Sequence, residues 1–165
     1  MQSNLLVTYN PAHPGKAERE VRALLDDFGA FEFVDSTVQG VFLIHVEGPK
    51  NIISKMRKLP ADSFENTFKW VPIETWVSSD VKEMSKALKG YNEKIGEDES
   101  WKLMLFKRQY DDHSTTELIK LLTEHIERKN VDLKNPEKLV VVEIVGDKAG
   151  LSLLDKDEYL DTQKL

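Results

Sequence analysis

Two basic residues next to a predicted helix start form a stretch whose chemistry suits the binding of an anion. Lys107 and Arg108 end an apolar strand, and after a short polar loop Ser114 reads as a helix N-cap, with Glu117 completing a capping box. The first backbone N–H groups of a helix lack partners within it, and the helix dipole adds about half a positive charge there. This combination predicts an anion-binding site.

Structural roles explain the same residues without any ligand. Asp111 and Asp112 lie in the loop and partly cancel its positive charge, and either can pair with Arg108 to stabilise the loop. Tyr110 and Trp101 offer aromatic rings that stack on a base, although a tryptophan at the end of a strand is more often a core residue. Both interpretations remain open at this point.

Residue patterns that carry catalysis are missing from the sequence. There is no cysteine, which excludes disulfides, thiolate metal sites and a cysteine nucleophile. There is also no glycine-rich nucleotide loop and no serine-nucleophile motif, and the four histidines have no metal-binding spacing. We therefore expect a non-catalytic chain without a cofactor or a bound metal.

The composition predicts a folded, acidic protein. The 165 residues carry a formal net charge of −6, with 40% apolar and 32% charged residues, and this length suits one ordinary domain or two small ones. No signal-peptide pattern is visible and no apolar run approaches the length of a membrane span, so we expect a soluble, cytoplasmic protein without membrane contact. Because the chain is acidic, any nucleic-acid contact must be focused on a small basic area.

The first half of the chain predicts the element order βαββαβ. Helical spacing of apolar residues follows Lys16 and Gly48-Pro49, and short apolar strands surround both helices. The predicted strands are 4–9, 31–38, 41–46 and 68–77, the last of them broken or at a sheet edge because of Pro72. The predicted helices are 16–28 and 49–59. This is the ferredoxin-like split βαβ arrangement.

The second half predicts a further α/β unit after a seam at residues 78–80. Its predicted helices begin at caps on Asp80 and Ser114 and continue to Ile95 and Ile126. Its predicted strands are 101–106, 139–145 and 151–154. We therefore predict two domains, 1–78 and 79–165, in the α/β (α+β) class.

The second half also resembles a THUMP domain, the RNA-binding module of several tRNA- and rRNA-modifying enzymes. The resemblance covers about residues 80–155 and depends on an ordered set of motifs. These motifs are Lys107-Arg108 ending a strand, His113-Ser114 opening a helix, VDLKNP at residues 131–136, a strand with Glu143, and Gly150-Leu151-Ser152. A ferredoxin-like domain packed on the THUMP domain is the usual arrangement in this family.

The resemblance implies binding to the single-stranded 3′ CCA end and adjoining acceptor stem of tRNA. The implied RNA-binding residues are Lys107, Arg108, Tyr110, His113, Ser114, Asn135 and Ser152. In THUMP-containing methyltransferases and thiouridine synthetases a catalytic domain follows, whereas this sequence ends about ten residues after the match. It is therefore most similar to stand-alone THUMP adaptors, and the implied partner is a separate RNA-modifying enzyme, in eukaryotes an RNA cytidine acetyltransferase that makes N4-acetylcytidine.

Two other functions remain open. The chain is alternatively the RNA-binding subunit of a split tRNA methyltransferase or thiouridine synthetase, or a ferredoxin-like protein-interaction module that binds no RNA. Asn135-Pro136 and Gly150 also have purely structural interpretations. A second place for RNA contact is the basic helix around Lys50, Lys55, Arg57 and Lys58.

Overall fold

The first sheet is built from the βαββαβ order that the sequence predicts. The computed structural model describes residues 2–36 and 38–165. The first elements are β1 (Leu5–Tyr9), α1 (Pro14–Asp26), β2 (Phe31–Val34), β3 (Val41–Val46), α2 (Pro49–Met56) and β4 (Thr67–Pro72). These strands pair antiparallel in the order β2-β3-β1-β4, which is the ferredoxin-like arrangement. The predicted fold class is confirmed.

Both helices of this unit begin at proline and bury one apolar face. Pro14 and Pro49 suit a first helical turn because the missing N–H would have no partner there. Gly48, just before α2, has a φ of 67°, a conformation that glycine adopts without steric cost. The inner faces pack with Trp70 of β4 into the apolar cluster of this unit.

The predicted strand 68–77 is broken at Pro72, one of the two outcomes that the sequence suggests, and the chain changes sheets at the break. Pro72 ends β4 and has no N–H to continue a ladder. Two residues later the N–H of Glu74 donates to the carbonyl of Leu151 at 3.0 Å, and a new strand, β5 (Thr75–Ser78), begins in the second sheet. The predicted strand 31–38 is also shorter, since β2 ends at Val34; Thr37 lies outside the described residues.

The second sheet has the order β5-β8-β7-β6. Its further elements are α3 (Val81–Lys89), β6 (Trp101–Arg108), α4 (Thr115–Thr123), β7 (Lys138–Val145) and β8 (Lys148–Asp155). β6 and β7 run parallel on either side of the α4 crossover, and the other pairs are antiparallel. β7 and β8 join through a two-residue turn in which Gly146 has a φ of 63°, so β8 starts before the predicted residue 151.

Both helices of the second unit end earlier than the apolar spacing predicts. α3 gives way to a short 3-10 turn at Gly90, and α4 ends at Thr123 although Ile126 still packs in the core. The side chain of Asn92 binds the chain after α4: it donates to the carbonyl of His125 at 3.0 Å and accepts the N–H of Glu127 at 2.7 Å. These tertiary bonds replace the helical ones.

The chain forms two compact units, and one of them is discontinuous. The first runs to Ile73 and also contains Asp157–Leu165, whereas the second is Glu74–Lys156. A short strand, β9 (Leu160–Asp161), pairs antiparallel with β4. These units differ from the division at residue 78 because β5 joins the second sheet and the last residues join the first. No helix in the described ranges is long and apolar enough to cross a membrane.

Candidate nucleic-acid interface

The carboxyl end of β6 lies at one edge of the second sheet, together with the β7–β8 turn and the start of α3. The N–H of Gly146 donates to the carbonyl of Arg108 at 2.8 Å. The hydroxyl of Ser79 donates to the carbonyl of Gly146 at 2.9 Å, and the N–H of Ser79 donates to the carbonyl of Asp147 at 3.0 Å. Gly146 thus connects the end of β6 to the residue that precedes the α3 cap.

Arg108 is paired with a buried carboxylate and not with the neighbouring aspartates. Its Nη1 lies 3.0 Å from Oε2 of Glu143, whose side chain is 0% exposed, while 20% of the Arg108 side chain is exposed. The register pairs Phe106 with Glu143, so Arg108, two residues later, lies on the same sheet face. The structural pairing with Asp111 or Asp112 considered from the sequence is therefore replaced by Glu143. Arg108 supports the fold by neutralising a buried charge.

Lys107 lies on the opposite face of β6, and its side chain is not neutralised by a paired carboxylate of the described residues. Its Nζ is 3.4 Å from the carbonyl of Tyr110, a long hydrogen bond to a neutral group. Within the described part of the chain Lys107 forms no ion pair. Of the two predicted cations, Lys107 is thus the one whose charge is available to a phosphate.

Tyr110 and Trp101 are core residues, which corrects the stacking role considered from the sequence. Tyr110 is 7% exposed and Trp101 is 2% exposed, and both belong to the apolar cluster of the second unit. The indole N–H of Trp101 donates to the carbonyl of Arg128 at 3.0 Å. Burial raises the pKa of Tyr110, and the nearby Asp112 carboxylate raises it further. Neither ring presents a face to a base.

The predicted N-cap is present at the start of α4, but the capping box is incomplete. The Ser114 hydroxyl accepts the N–H of Glu117 at 3.2 Å, so the N-cap is confirmed. The Glu117 carboxylate does not complete the capping box; it contacts Nδ1 of His113 instead. The N–H groups of Thr115 and Thr116 have no acceptor among the described residues, which leaves two donors at this helix end.

Asn135 and Ser152 lie away from this edge. Asn135 precedes β7 at the other end of the sheet, roughly 23 Å from Arg108 for a strand of this length, and its Oδ1 accepts a bond from Lys156. Ser152 is fully buried in β8, where its hydroxyl accepts the N–H of Glu74 at 3.1 Å. The structure therefore brings together the predicted residues of the β6–α4 region and separates these two from them.

A second basic feature was missed in the sequence. Lys82, Lys86 and Lys89 are exposed on α3 at spacings of four and three residues, so they share one helix face. The signal was present as this lysine spacing within a predicted helix. The α2 region that the sequence did suggest is partly engaged, because Lys50 lies 3.9 Å from Glu158 and Arg57 donates to the carbonyl of Tyr159.

The family model of the THUMP domain matches residues 50–154. The chain belongs to the THUMP domain family. THUMP domains bind tRNA and occur with tRNA-modifying enzymes, so the matched range supports an RNA-binding role for this protein. The range includes the β6–α4 loop, α3 and the β7–β8 turn of this THUMP protein. A search of the curated proteins found no match.

Solved structures share the fold of this THUMP protein at low sequence identity. PH1313 from Pyrococcus horikoshii Ot3 is 15% identical with a TM-score of 0.64, and the match covers 93% of this chain and 55% of that one. TrmN from Thermus thermophilus is 18% identical with a TM-score of 0.59, over 90% of this chain and 44% of that one. The chain spans about half the length of these proteins, and at such identities the likeness concerns the fold.

Proposed function

We propose that this chain binds the single-stranded 3′ CCA end of tRNA at the C-terminal end of β6, around the β6–α4 loop, with the adjoining acceptor stem nearby. The observation that carries the proposal is Lys107, which forms no ion pair among the described residues and lies in a strand that a six-residue loop joins to the open N-terminus of α4, within a THUMP domain. A phosphate at this edge meets the ammonium group of Lys107 and the free N–H groups of Thr115 and Thr116. Asp111 and Asp112 are exposed in the adjoining loop and limit the extent of the positive charge. This agrees with the small basic area expected for RNA contact in an acidic chain.

We further propose that the chain is a non-catalytic adaptor that presents tRNA to a separate modifying enzyme, with cytidine acetylation as the reaction suggested by resemblance. The support is the absence of cofactor-loop and nucleophile motifs in the sequence, together with the matched family. Incubation of the pure protein with tRNA and acetyl, methyl or sulfur donors is expected to leave every nucleoside unmodified by mass spectrometry. A modified nucleoside formed by the chain alone overturns the adaptor role.

Replacing Lys107 tests the binding site directly. Lys107→Ala is expected to weaken tRNA binding by about 1 kcal/mol and to reduce the slope of log K against log salt by about 0.7, because one phosphate contact is lost. Filter binding at several salt concentrations measures both quantities. The matched control is Lys120→Ala, which removes an exposed lysine from the far end of α4. Equal effects of the two substitutions, or none from Lys107→Ala, contradict the proposed site.

Arg108 needs a different control, because its loss also disturbs the fold. Arg108→Ala leaves Glu143 buried without its guanidinium partner, which costs on the order of 3 kcal/mol of unfolding free energy. The double variant R108M/E143Q removes both charges and is expected to regain part of that stability. Binding by the stabilised double variant then reports what the Arg108 charge contributes to RNA, separately from folding.

A further inference from the structure

The outer face of α3 carries a lysine stripe, defined as Lys82, Lys86 and Lys89. All three side chains are exposed and lie along one ridge of the helix. The stripe is about 10 Å long, since each residue advances the helix axis by about 1.5 Å. The opposite face of α3 buries Met84 and Leu88 in the apolar cluster of the second unit, so the stripe is held on a fixed support.

The lysines of the stripe form no ion pair within the described part of the chain. Among the described residues, no carboxylate lies within ion-pair distance of Lys82, Lys86 or Lys89, and the exposed Glu83 of the same helix forms no ion pair with them. Like charges one turn apart repel each other and weaken a helix. Three such lysines form a local positive patch in a chain of net charge −6, and an anionic partner would reduce the repulsion between them.

The stripe begins at the sheet edge that holds the proposed RNA site. Lys82 follows two residues after the N-cap Asp80, and Ser79 hydrogen-bonds through Gly146 to the end of β6. The Asp80 carboxylate also contributes to the raised pKa of Tyr110 in the β6–α4 loop, which agrees with this closeness. From this edge the stripe leads away along α3.

We propose that the lysine stripe binds backbone phosphates of the duplex acceptor stem, next to the single-stranded end held at the β6–α4 loop. This inference rests on the proposed function and extends it to a second surface. Charge complementarity favours RNA over a protein partner: the ridge offers lysines without an exposed large apolar side chain on α3. A protein interface needs an apolar centre, whereas phosphate contacts need only positive charge at suitable intervals.

The test compares two triple variants that remove the same charge. K82Q/K86Q/K89Q removes the stripe, and K16Q/K120Q/K164Q removes three exposed lysines that lie outside the stripe, the β6–α4 loop and α2. The RNA probes are an unmodified tRNA transcript and a short single-stranded RNA ending in CCA. The stripe variant is expected to bind the transcript about tenfold more weakly or worse, with the salt slope reduced by about two to three, and to bind the single-stranded RNA within about twofold of wild type. The control variant is expected to keep both affinities within about twofold.

The outcomes separate this inference from the function on which it rests. Unchanged affinity of the stripe variant for the transcript, or an equal loss in the control variant, overturns the proposed role of the lysine stripe in RNA binding. Failure of the wild-type chain to bind the single-stranded RNA contradicts the proposed 3′-end site instead. Thermal unfolding of both variants is expected to match wild type, because all six lysines are exposed, and this confirms that the binding changes do not come from misfolding.

Discussion

Two tyrosines of the second unit are held in their neutral form by their surroundings. Burial raises the pKa of Tyr91, and the Glu74 carboxylate adds to the effect. Burial likewise raises the pKa of Tyr110, followed by Asp112, Asp80 and Glu117. In both cases the protein environment disfavours the phenolate, first by removing water and then by placing negative charge nearby.

The pH dependence of stability follows from the direction of these shifts. A tyrosine whose folded pKa is raised contributes its full stability below the unfolded pKa, near 10, and loses it as pH rises through the folded pKa. Urea unfolding at about pH 9 and about pH 11 is therefore expected to show a smaller loss of stability for Tyr110→Phe than for wild type. Lysines titrate in the same pH range in both proteins, so their contribution cancels when the losses of wild type and variant are compared. An identical loss in both proteins contradicts the assignment.

For Arg108, the sequence predicts the position of the residue at the end of a strand but not its partner. The basic pair at the end of β6 was predicted because strand alternation and the following cap are local patterns. The partner of Arg108 was not predicted, since Glu143 is 35 residues away and only the parallel register brings it alongside. The same holds for Ser152: it lies in the predicted strand 151–154, but its burial depends on β8 lying between β5 and β7 and on the bond from Glu74, 78 residues away.

At the scale of elements, the start of α4 combines a stability role and a proposed binding role, and substitutions at Ser114 separate them. Ser114→Ala removes the cap and is expected to cost about 1 kcal/mol of unfolding free energy. Ser114→Asp restores a capping oxygen, so its stability is expected to stay near wild type. The added negative charge at the helix N-terminus is expected to weaken tRNA binding. Thr116→Ala, in the same turn without a capping role, is the control.

Denaturant unfolding and filter binding of the four proteins check this prediction. Stability and affinity that change together across the Ser114 series would mean that the helix start acts on RNA only through folding. A stable Ser114→Asp variant with weakened binding would instead place the phosphate at this helix end.

Helix starts in this chain were predictable and helix ends were not. Asp80 and Ser114 cap α3 and α4 through bonds to residues two and three positions ahead, so the signal lies within a few residues. The end of α4 depends on Asn92, more than 30 residues away, whose side chain binds the following segment. The lysine stripe had a local signal and was missed because lysines on a predicted helix are ordinarily taken for a solvated face.

At the scale of the whole molecule, the last residues of the chain complete the first sheet. Leu160 is fully buried in the apolar cluster of the first unit and lies opposite Trp70 in the β4–β9 pairing. The Thr162 hydroxyl donates to the carbonyl of Thr67 at 2.7 Å. The C-terminal segment is thus part of the core and not a tail, although the sequence assigned it to the second domain.

Replacing Leu160 by alanine measures how much the C-terminal segment contributes to the stability of the protein. Leu160→Ala is expected to lower the unfolding free energy by roughly 2–5 kcal/mol, because a fully buried leucine leaves a cavity beside Trp70. Leu165→Ala, at a position that is 46% exposed, is the control and is expected to change stability by less than about 0.5 kcal/mol. Denaturant melts give both values. A loss at Leu160 no larger than that at Leu165 would show that β9 contributes little.

The return of β9 to the first sheet also sets an order of events during synthesis. The first unit is translated up to Ile73 early, yet its edge strand emerges about 90 residues later, a delay of roughly 5–18 s at 5–20 residues per second. The second unit is continuous in sequence and needs no later segment. On the ribosome, the β4–β9 pairing of the first unit can therefore form only after the whole second unit has been translated, because β4 has no partner on that side until residues 157–165 emerge.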